Sequence, residues 1–225
     1  MNMEFYSLAT ILLIASVGAL PNKYFDNDMK NTDIENVIIE NIKYASLQLK
    51  QLGHDPFVLK GNKYGNAHYY TLPQGLNIYG YFENLRISGV TDVIINSVSY
   101  TEDVLVMDLS YPSVELSVDE VQYEVAYKGI NKKLELSGSM VAQHVRLITE
   151  VNLGSNEISI GDIGVHFHLE NIESKVTVIY GNNDVSNSFN EFVERHIPFI
   201  ILQHQEEIGS GLKEILYSII TTYIL

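Results

Sequence analysis

The chain has 225 residues, 46% of them hydrophobic and 19% charged, as in a globular protein with a substantial core. Acidic residues outnumber basic ones by 28 to 14, and the net charge is -14. Nucleic acids and anionic membranes are bound largely through clustered Lys and Arg, so this balance argues against nucleic-acid binding. Cysteine is absent, which removes thiol catalysis and cysteine-based zinc sites.

Residues 1–19 have the pattern of a secretory signal peptide. An apolar stretch covers residues 8–15, and small residues follow at 17–19, where a signal peptidase would cleave. We predict cleavage after Ala19, a single mature domain over 20–225, and an extracellular location. No Lys or Arg precedes the apolar stretch, and Glu4 stands there instead. The alternative is an N-terminal apolar helix that stays on the mature protein.

A long amphipathic helix is predicted after a polar leader. Thr32 and Glu35 match a capping box at its start, and Gly53 with the Asp55-Pro56 step ends it. Apolar residues between these points recur at steps of three and four, which places them on one face of the helix. They are Ile34, Val37, Ile38, Ile42, Ala45, Leu49 and Leu52.

From about residue 72 to residue 180 the apolar residues alternate with a period of two, which is typical of strands. We predict seven or eight strands of about six to ten residues, bent at Gly and Pro, with an irregularity before Leu85 and Ile87. No helical pattern interrupts the series. It therefore predicts an antiparallel meander and argues against a nucleotide-binding fold. The later segments are 104–118, interrupted at Pro112, then 121–127, 134–140, 142–153, 157–160, 165–169 and 175–180.

Helical spacing returns near the C-terminus. Ser188 and Glu191 match a second capping box, and Pro198 must kink or interrupt the helix because it supplies no N–H. The closing apolar run is too short to span a bilayer, so stable membrane insertion is not expected. The apolar residues that mark one face after Pro198 are Ile208, Leu212, Ile215, Leu216, Ile219, Ile220 and Tyr223.

Two apolar helix faces need a partner, and one face of a twisted sheet is the partner available. The sequence therefore predicts an α+β fold in which a long curved antiparallel sheet rolls around the C-terminal helix, with a second helix from the N-terminal part. Such a roll leaves an elongated apolar interior.

This order of elements resembles the tubular lipid-binding (TULIP) superfamily. The similarity is to its arthropod branch: the takeout and juvenile-hormone-binding proteins of insects and the group 7 mite-allergen proteins. The matching features are the Asp55-Pro56 step, the stretch 84–93, the strand pair 107–127 with the turn at 126–129, and the C-terminal run 190–225. Takeout and hormone-binding members usually carry an N-terminal cysteine pair, and this chain has none, which favours the group 7 branch or a divergent relative.

The resemblance implies a non-catalytic protein that binds a lipid, fatty acid or terpenoid hormone in the interior of the roll and needs no cofactor. Core packing and cavity lining are equally open interpretations of the inward-facing residues. The candidates for cavity lining are Ile38, Ile42, Ala45 and Leu49 on the first helix, Leu212, Ile215, Leu216 and Ile219 on the last, and Phe82, Val106, Leu116 and Val125 on strands.

Three catalytic or metal-binding hypotheses are weaker. A serine hydrolase needs a Gly-x-Ser-x-Gly turn between a strand and a helix, and the motif is absent from the sequence. His166 and His168 lie on the same side of one predicted strand with Glu170, as metal ligands can, but a solvated polar face explains them better. His54 and Asp55 read as turn chemistry rather than as a catalytic pair.

Two functions remain. One is a secreted carrier whose partner is a hydrophobic small molecule. The other is a secreted interaction or structural protein with a filled core, such as a pattern-recognition factor, an interface-active component or a member of an assembly. A homodimer or a secreted protein partner is possible in either case.

Overall fold

The computed structural model describes residues 31–61, 68–72, 76–127, 130–152 and 162–223. The signal peptide predicted over 1–19 and the strand predicted over 157–160 lie outside these residues. Within them the chain forms three helices and one antiparallel sheet of nine strands, so the predicted α+β class with a long antiparallel sheet is confirmed.

The helices are α1 (Asn31–Gln51), α2 (Ser186–Gln203) and α3 (Gln205–Tyr223). The strands are β1 (Phe57–Leu59), β2 (His68–Leu72), β3 (Leu76–Ser88), β4 (Ile94–Thr101), β5 (Val104–Tyr127), β6 (Ile130–Asn152), β7 (Ile163–His168), β8 (Asn171–Tyr180) and β9 (Asn183–Asp184). The sheet order is β1-β3-β5-β6-β8-β9, while β2 pairs with β3, β4 with β5 and β7 with β6.

The centre of the sheet is a hairpin of two very long strands. β5 has 24 residues and β6 has 23, so the shorter segments predicted over 104–127 and 134–153 are fused. The prediction divided them because the alternation breaks at Pro112 and again near Asp119. In the structure Pro112 lies within β5, and the register of β5 against β6 shifts between Val118 and Val121.

These irregularities keep the apolar residues on one face. Two successive residues, Pro112 and Ser113, are exposed, and His144 opposite them adopts φ 53. Asn84 in β3 adopts φ 46, which is the irregularity predicted before Leu85. Each break reverses the alternation, because one additional residue in a strand moves all later side chains to the other face.

One face of the sheet carries the three helices, and we call it the helix-side face. α1 packs against β4, α3 against β7 and α2 against β8. A first core cluster joins α1 and α3 to β4, β5, β6 and β7. A second, smaller cluster joins α2 to β6 and β8, and Val145 contacts both.

The opposite face of the sheet is polar. Asp108 forms an ion pair with Arg146 at 2.5 Å, and Arg86 forms one with Asp119, also at 2.5 Å. The hydroxyl of Tyr81 donates to the carboxylate of Glu120 at 2.6 Å. The sheet is therefore amphipathic, with the helices on one face and mainly polar side chains on the other.

The two predicted capping boxes are wrong. Thr32 lies inside the first turn of α1, and the Glu35 carboxylate accepts the backbone N–H of Tyr100 at 2.9 Å. α2 begins at Ser186, ahead of Ser188, so Ser188 cannot be its N-cap. Glu35 therefore makes a tertiary contact instead of capping α1, and Ser188 lies past the start of α2.

The C-terminal helix is interrupted at His204 rather than at Pro198. Pro198 lies inside α2, and His204 separates α2 from α3. None of the helices in the described ranges is both long and apolar enough to cross a membrane.

Candidate ligand-binding surfaces

Three of the predicted helix residues lie in the densest part of the protein. Ile38, Ile42 and Leu216 have exposed fractions of 0%, 1% and 0%, and they share the first core cluster. Leu212 and Ile215 are partly buried against the same cluster. The structure thus brings the two predicted helix faces together, and the side chains between them fill the space.

The remaining helix candidates lie near this core. Ala45 and Leu49 are half-buried on α1. Ile219 belongs to α3, but its side chain is outside the described part of the structure.

The strand candidates divide between the two faces. Phe82 and Leu116 are half-buried on the helix-side face, and Val125 lies near the end of β5 with 37% of its surface exposed. Val106 is on the polar face, because its neighbours Leu105 and Met107 are buried against the helices. Val106 therefore lies on the face opposite to the inward-facing residues it was grouped with, because the alternation in β5 reverses at Pro112.

An apolar strip on the helix-side face crosses β3, β5 and β6. It consists of eight aliphatic or aromatic side chains, all half-buried rather than buried. They form cross-strand rows because their partners lie opposite in the register. We call this surface the central strip; it comprises Phe82, Leu85, Ile87, Leu116, Val118, Val121, Leu134 and Leu136.

The register gives the central strip its dimensions. Ile87 pairs with Leu116, and Phe82 pairs with Val121, which in turn pairs with Leu136. At about 3.3 Å per residue and 4.8 Å per strand, the strip is roughly 20–25 Å long and spans about 10 Å between its outer strands. Sequence reasoning identified only Phe82 and Leu116 of its members, because strand pairing is needed to join residues that are distant in the chain.

At one end of the strip, two glycines leave room for neighbouring groups to approach closely. A Cβ at Gly80 would lie 2.6 Å from the ring of Tyr123, so that ring occupies the space a side chain would fill. The backbone of Gly61 similarly approaches Phe82. The Tyr123 ring and the backbone of Gly61 therefore border the strip at this end.

A second concavity lies between the edge strand β7 and helix α3. It has a volume of about 470 Å³, within the range of small-molecule sites. Its floor is apolar and its rim carries charged and polar side chains. The lining residues are Ile163, Gly164, Val165, His166, Phe167, Gln205, Glu206, Gly209, Ser210 and Lys213.

The Asp55-Pro56 step and the turn after β3 form a single structural unit. The Asp55 carboxylate accepts the backbone N–H groups of Gly89 at 3.0 Å and Thr91 at 2.9 Å, and the Thr91 hydroxyl at 2.6 Å. Ser46 of α1 donates to the Thr91 carbonyl. Two motifs of the sequence resemblance thus tie the end of α1 to the β3–β4 turn, and the carboxylate serves structure rather than catalysis.

The residues of the metal hypothesis are not assembled into a site. His166 and His168 are exposed on β7, and Glu170 instead pairs with the imidazole of His144 at 3.0 Å. Within the described ranges no three His, Asp or Glu side chains are grouped as metal ligands. Ser210 lies in the middle of α3, where the sharp strand-to-helix turn of a hydrolase nucleophile is missing.

Two ionisable groups have pKa values set by their surroundings. Hydrogen bonding to the Arg146 guanidinium lowers the pKa of Asp108, with a further contribution from the Asn96 amide. Burial raises the pKa of Tyr111 far above that of a solvated phenol. Both groups are held in one charge state at neutral pH, which suits structural roles better than proton transfer.

Comparisons with known proteins find only distant structural similarity. No protein-family model matches the chain, and no curated protein matches it in sequence. Among solved structures it is similar to takeout 1 of Epiphyas postvittana, with 11% identity, a TM-score of 0.34, and coverage of 76% of this chain and 77% of that one.

A second solved structure in the comparison is a lipopolysaccharide binding protein. It has 12% identity and a TM-score of 0.36, and the match covers 80% of this chain and 37% of that protein. The similarity is distant, and we transfer no ligand or role from either protein.

Proposed function

We propose that this protein is a secreted, non-catalytic carrier that binds one hydrophobic small molecule, a lipid, fatty acid or terpenoid, along the central strip. The observation that carries the proposal is a contiguous set of eight half-buried apolar side chains in cross-strand rows. Contiguous exposed apolar surface on a soluble protein usually marks a binding site.

The chemistry of the strip selects an apolar ligand. Its eight side chains present no hydrogen-bonding groups. The width of about 10 Å accommodates one extended chain or a narrow ring system rather than a protein domain. Covering about 400 Å² of ligand surface would contribute about 10 kcal/mol before the entropic cost of binding.

The part of the helix-side face under α1 and α3 is filled, which favours the second candidate function, a secreted interaction protein. Ile38, Leu105 and Leu216 are all 0% exposed, so the contact between α1, α3 and the sheet behaves as a packed interior. A secreted interaction protein with a filled core would have this feature throughout. The two functions therefore differ in whether an apolar ligand reaches the central strip.

Single tryptophan reporters test the proposal, because the chain contains no Trp. We expect a brominated long-chain fatty acid to quench the fluorescence of Leu136→Trp, which lies in the strip. The matched control is Ser137→Trp, whose side chain lies on the other face of β6 and should be quenched far less. Equal quenching of both reporters, or of neither, would contradict binding at the strip.

A charge placed in the strip tests the same point by loss of function. Leu116→Asp should weaken displacement of a fluorescent fatty acid about tenfold or more, because a carboxylate cannot be desolvated against an acyl chain without cost. Ser117→Asp, one residue away on the polar face, should bind as the native protein does. Val118→Trp, which fills the strip without adding charge, should also lose binding while keeping its thermal transition.

The location requires a separate experiment. Expression of the full chain in eukaryotic cells should release protein into the medium with Leu20 as its first residue. Retention in the cells with Met1 intact would contradict secretion and leave the ligand experiments unaffected.

A further inference from the structure

We propose that the solvent-facing side of α2 is a homodimer interface, on which α2 of a second copy of this chain packs in the antiparallel direction. The proposal goes beyond the carrier function and uses no residue of the central strip. Its basis is a second row of side chains along α2, on the side that faces away from the sheet. We call this row the outer seam; it comprises Phe192, Arg195, Phe199 and Leu202.

Helix α2 is apolar on both of its sides. The outer seam is open to solvent, since Phe192, Phe199 and Leu202 have exposed fractions of 48%, 54% and 55%. A helix that packs on a sheet through one side usually turns polar residues to solvent on the other, so a second apolar row indicates a second partner. The inner side already packs in the second core cluster, through Phe189, Val193, Ile197 and Ile201.

The spacing of the outer seam fits a helix as the partner. Its residues follow one another at steps of three, four and three, which is the a/d pattern along which two helices interlock. A twofold axis through the middle of the row brings it against its own copy in the reverse direction. Phe192 then lies opposite the partner's Leu202, and Arg195 lies opposite the partner's Phe199.

Charge selects the antiparallel direction. In that direction the Arg195 guanidinium meets the ring of the partner's Phe199, which is a favourable cation–π contact. In a parallel pair Arg195 would instead face the partner's Arg195, and the two like charges would repel each other. The single charged residue of the outer seam thus excludes one of the two directions.

The carboxylates of α2 do not oppose this arrangement. Two copies of net charge -14 repel each other, so an interface between them needs a surface without facing carboxylates. Glu191 pairs with Arg195 at 2.6 Å, and the twofold axis sets it opposite the partner's Gln203. Glu194 accepts the Ser174 backbone N–H at 2.9 Å and is therefore held beside the sheet.

The area of the outer seam is that of a weak dimer. At about 200 Å² for a complete side chain, its two rings and its leucine expose roughly 300 Å² per copy. Two copies would bury roughly 600 Å² of apolar surface, and because somewhat more than half of an interface is apolar, the whole would bury about 1,000 Å². This is the lower limit for a specific interface, so we expect a dissociation constant in the micromolar range.

Complementary charges at two facing positions test the interface. In sedimentation velocity, Phe192→Glu and Leu202→Lys should each weaken self-association at least about tenfold, because each places a charge against an apolar side chain. An equimolar mixture of the two variants should dimerise again, since the introduced glutamate of one copy then faces the introduced lysine of the other and the second contact is native. Leu47→Glu, at an equally exposed leucine of α1, is the control and should dimerise as the native protein does.

Three results would overturn the proposal. They are a native protein that stays monomeric at its highest soluble concentration, an equal loss of dimer in the control, and no recovery in the mixture when both variants keep a native thermal transition. A monomer that binds phosphatidylcholine vesicles, and loses them in Phe192→Glu, would also overturn it, because the outer seam would then contact lipid. Leu136→Trp reports ligand at the central strip independently, so the dimer and the carrier function can fail separately.

Discussion

At the scale of single residues, the motifs on which the family resemblance rests hold parts of the chain together. Asp55 is the clearest example, since its carboxylate collects three donors from one turn. A short motif can therefore reflect the way a chain is tied together rather than what it binds. The pattern could be seen in the sequence, but its partner turn 34 to 36 residues away could not.

Replacing Asp55 should destabilise the protein strongly. We expect Asp55→Ala to lower the free energy of unfolding by about 2–4 kcal/mol, because two backbone N–H groups and a buried hydroxyl lose a charged acceptor. Denaturant unfolding followed by circular dichroism measures this. Lys50→Ala is the control: it removes an exposed ion pair with Asp92 and should change stability by less than about 1 kcal/mol. A similar loss in both variants would contradict the role assigned to Asp55.

Asp108 should make stability depend on pH in the acid range. Its folded-state pKa is lowered by Arg146 and Asn96, so its contribution is complete above the unfolded-state pKa and is lost as pH falls through the folded one. Between about pH 5 and pH 2 the native protein should therefore lose more stability than Asp108→Asn does. If the free energy of unfolding falls with pH at the same rate in both proteins across this range, the ion pair contributes nothing to folding.

At the scale of elements, helix α2 protects an edge of the sheet that strand pairing leaves largely open. Asn190 accepts the Val176 backbone N–H at 3.0 Å and donates to the Val176 carbonyl at 2.9 Å. Glu194 accepts the Ser174 N–H, and Ser186 accepts the Val178 N–H. Polar residues at four-residue intervals on α2 thus bond the β8 backbone in place of a neighbouring strand. Another chain therefore cannot pair with this edge and start aggregation.

Helix α3 carries two glycines, Gly209 and Gly211, and its packing against β7 depends on the first of them. Gly209→Ala would place a Cβ 2.5 Å from a β7 carbonyl oxygen, and we expect a loss of about 1–3 kcal/mol as α3 is displaced. Gly211 has no atom within 4 Å of such a Cβ, so Gly211→Ala should be neutral or stabilise the helix by up to about 1 kcal/mol. Thermal unfolding distinguishes the two. Equal effects would mean that α3 does not pack on β7 at Gly209.

The helices and the run of strands between them could be predicted from the sequence, because the hydrophobic period differs between the two types of element, but β4 was not predicted. The apolar faces of α1 and α3 were identified, and Ile38 and Leu216 do share one core. The faces of β5 could not be assigned reliably, because Pro112 and the shift after Val118 reverse the alternation twice. The central strip depends on cross-strand register, which no local pattern contains, and so only two of its members were found.

At the scale of the whole molecule, packing divides the helix-side face into two regimes. Residues between α1, α3 and the sheet are excluded from solvent, whereas the central strip is only half-buried. A fully packed protein would gain no stability from an apolar ligand, while a carrier gains it by mass action. Ligand-dependent stability therefore tests the division directly.

A saturating fatty acid should raise the melting temperature of the native protein. At a free concentration one hundred times the dissociation constant the gain is about 2.7 kcal/mol, which corresponds to about 5–10 °C for a domain of this size. Ile38→Ala, a cavity in the filled core, should lower the melting temperature but keep the ligand-induced increase, because Ile38 lies away from the strip. Val118→Trp should reduce the part of the increase that arises from binding at the strip. If instead Ile38→Ala abolishes the increase and Val118→Trp preserves it, the ligand enters the core between the helices, and the strip is only an exposed part of the sheet.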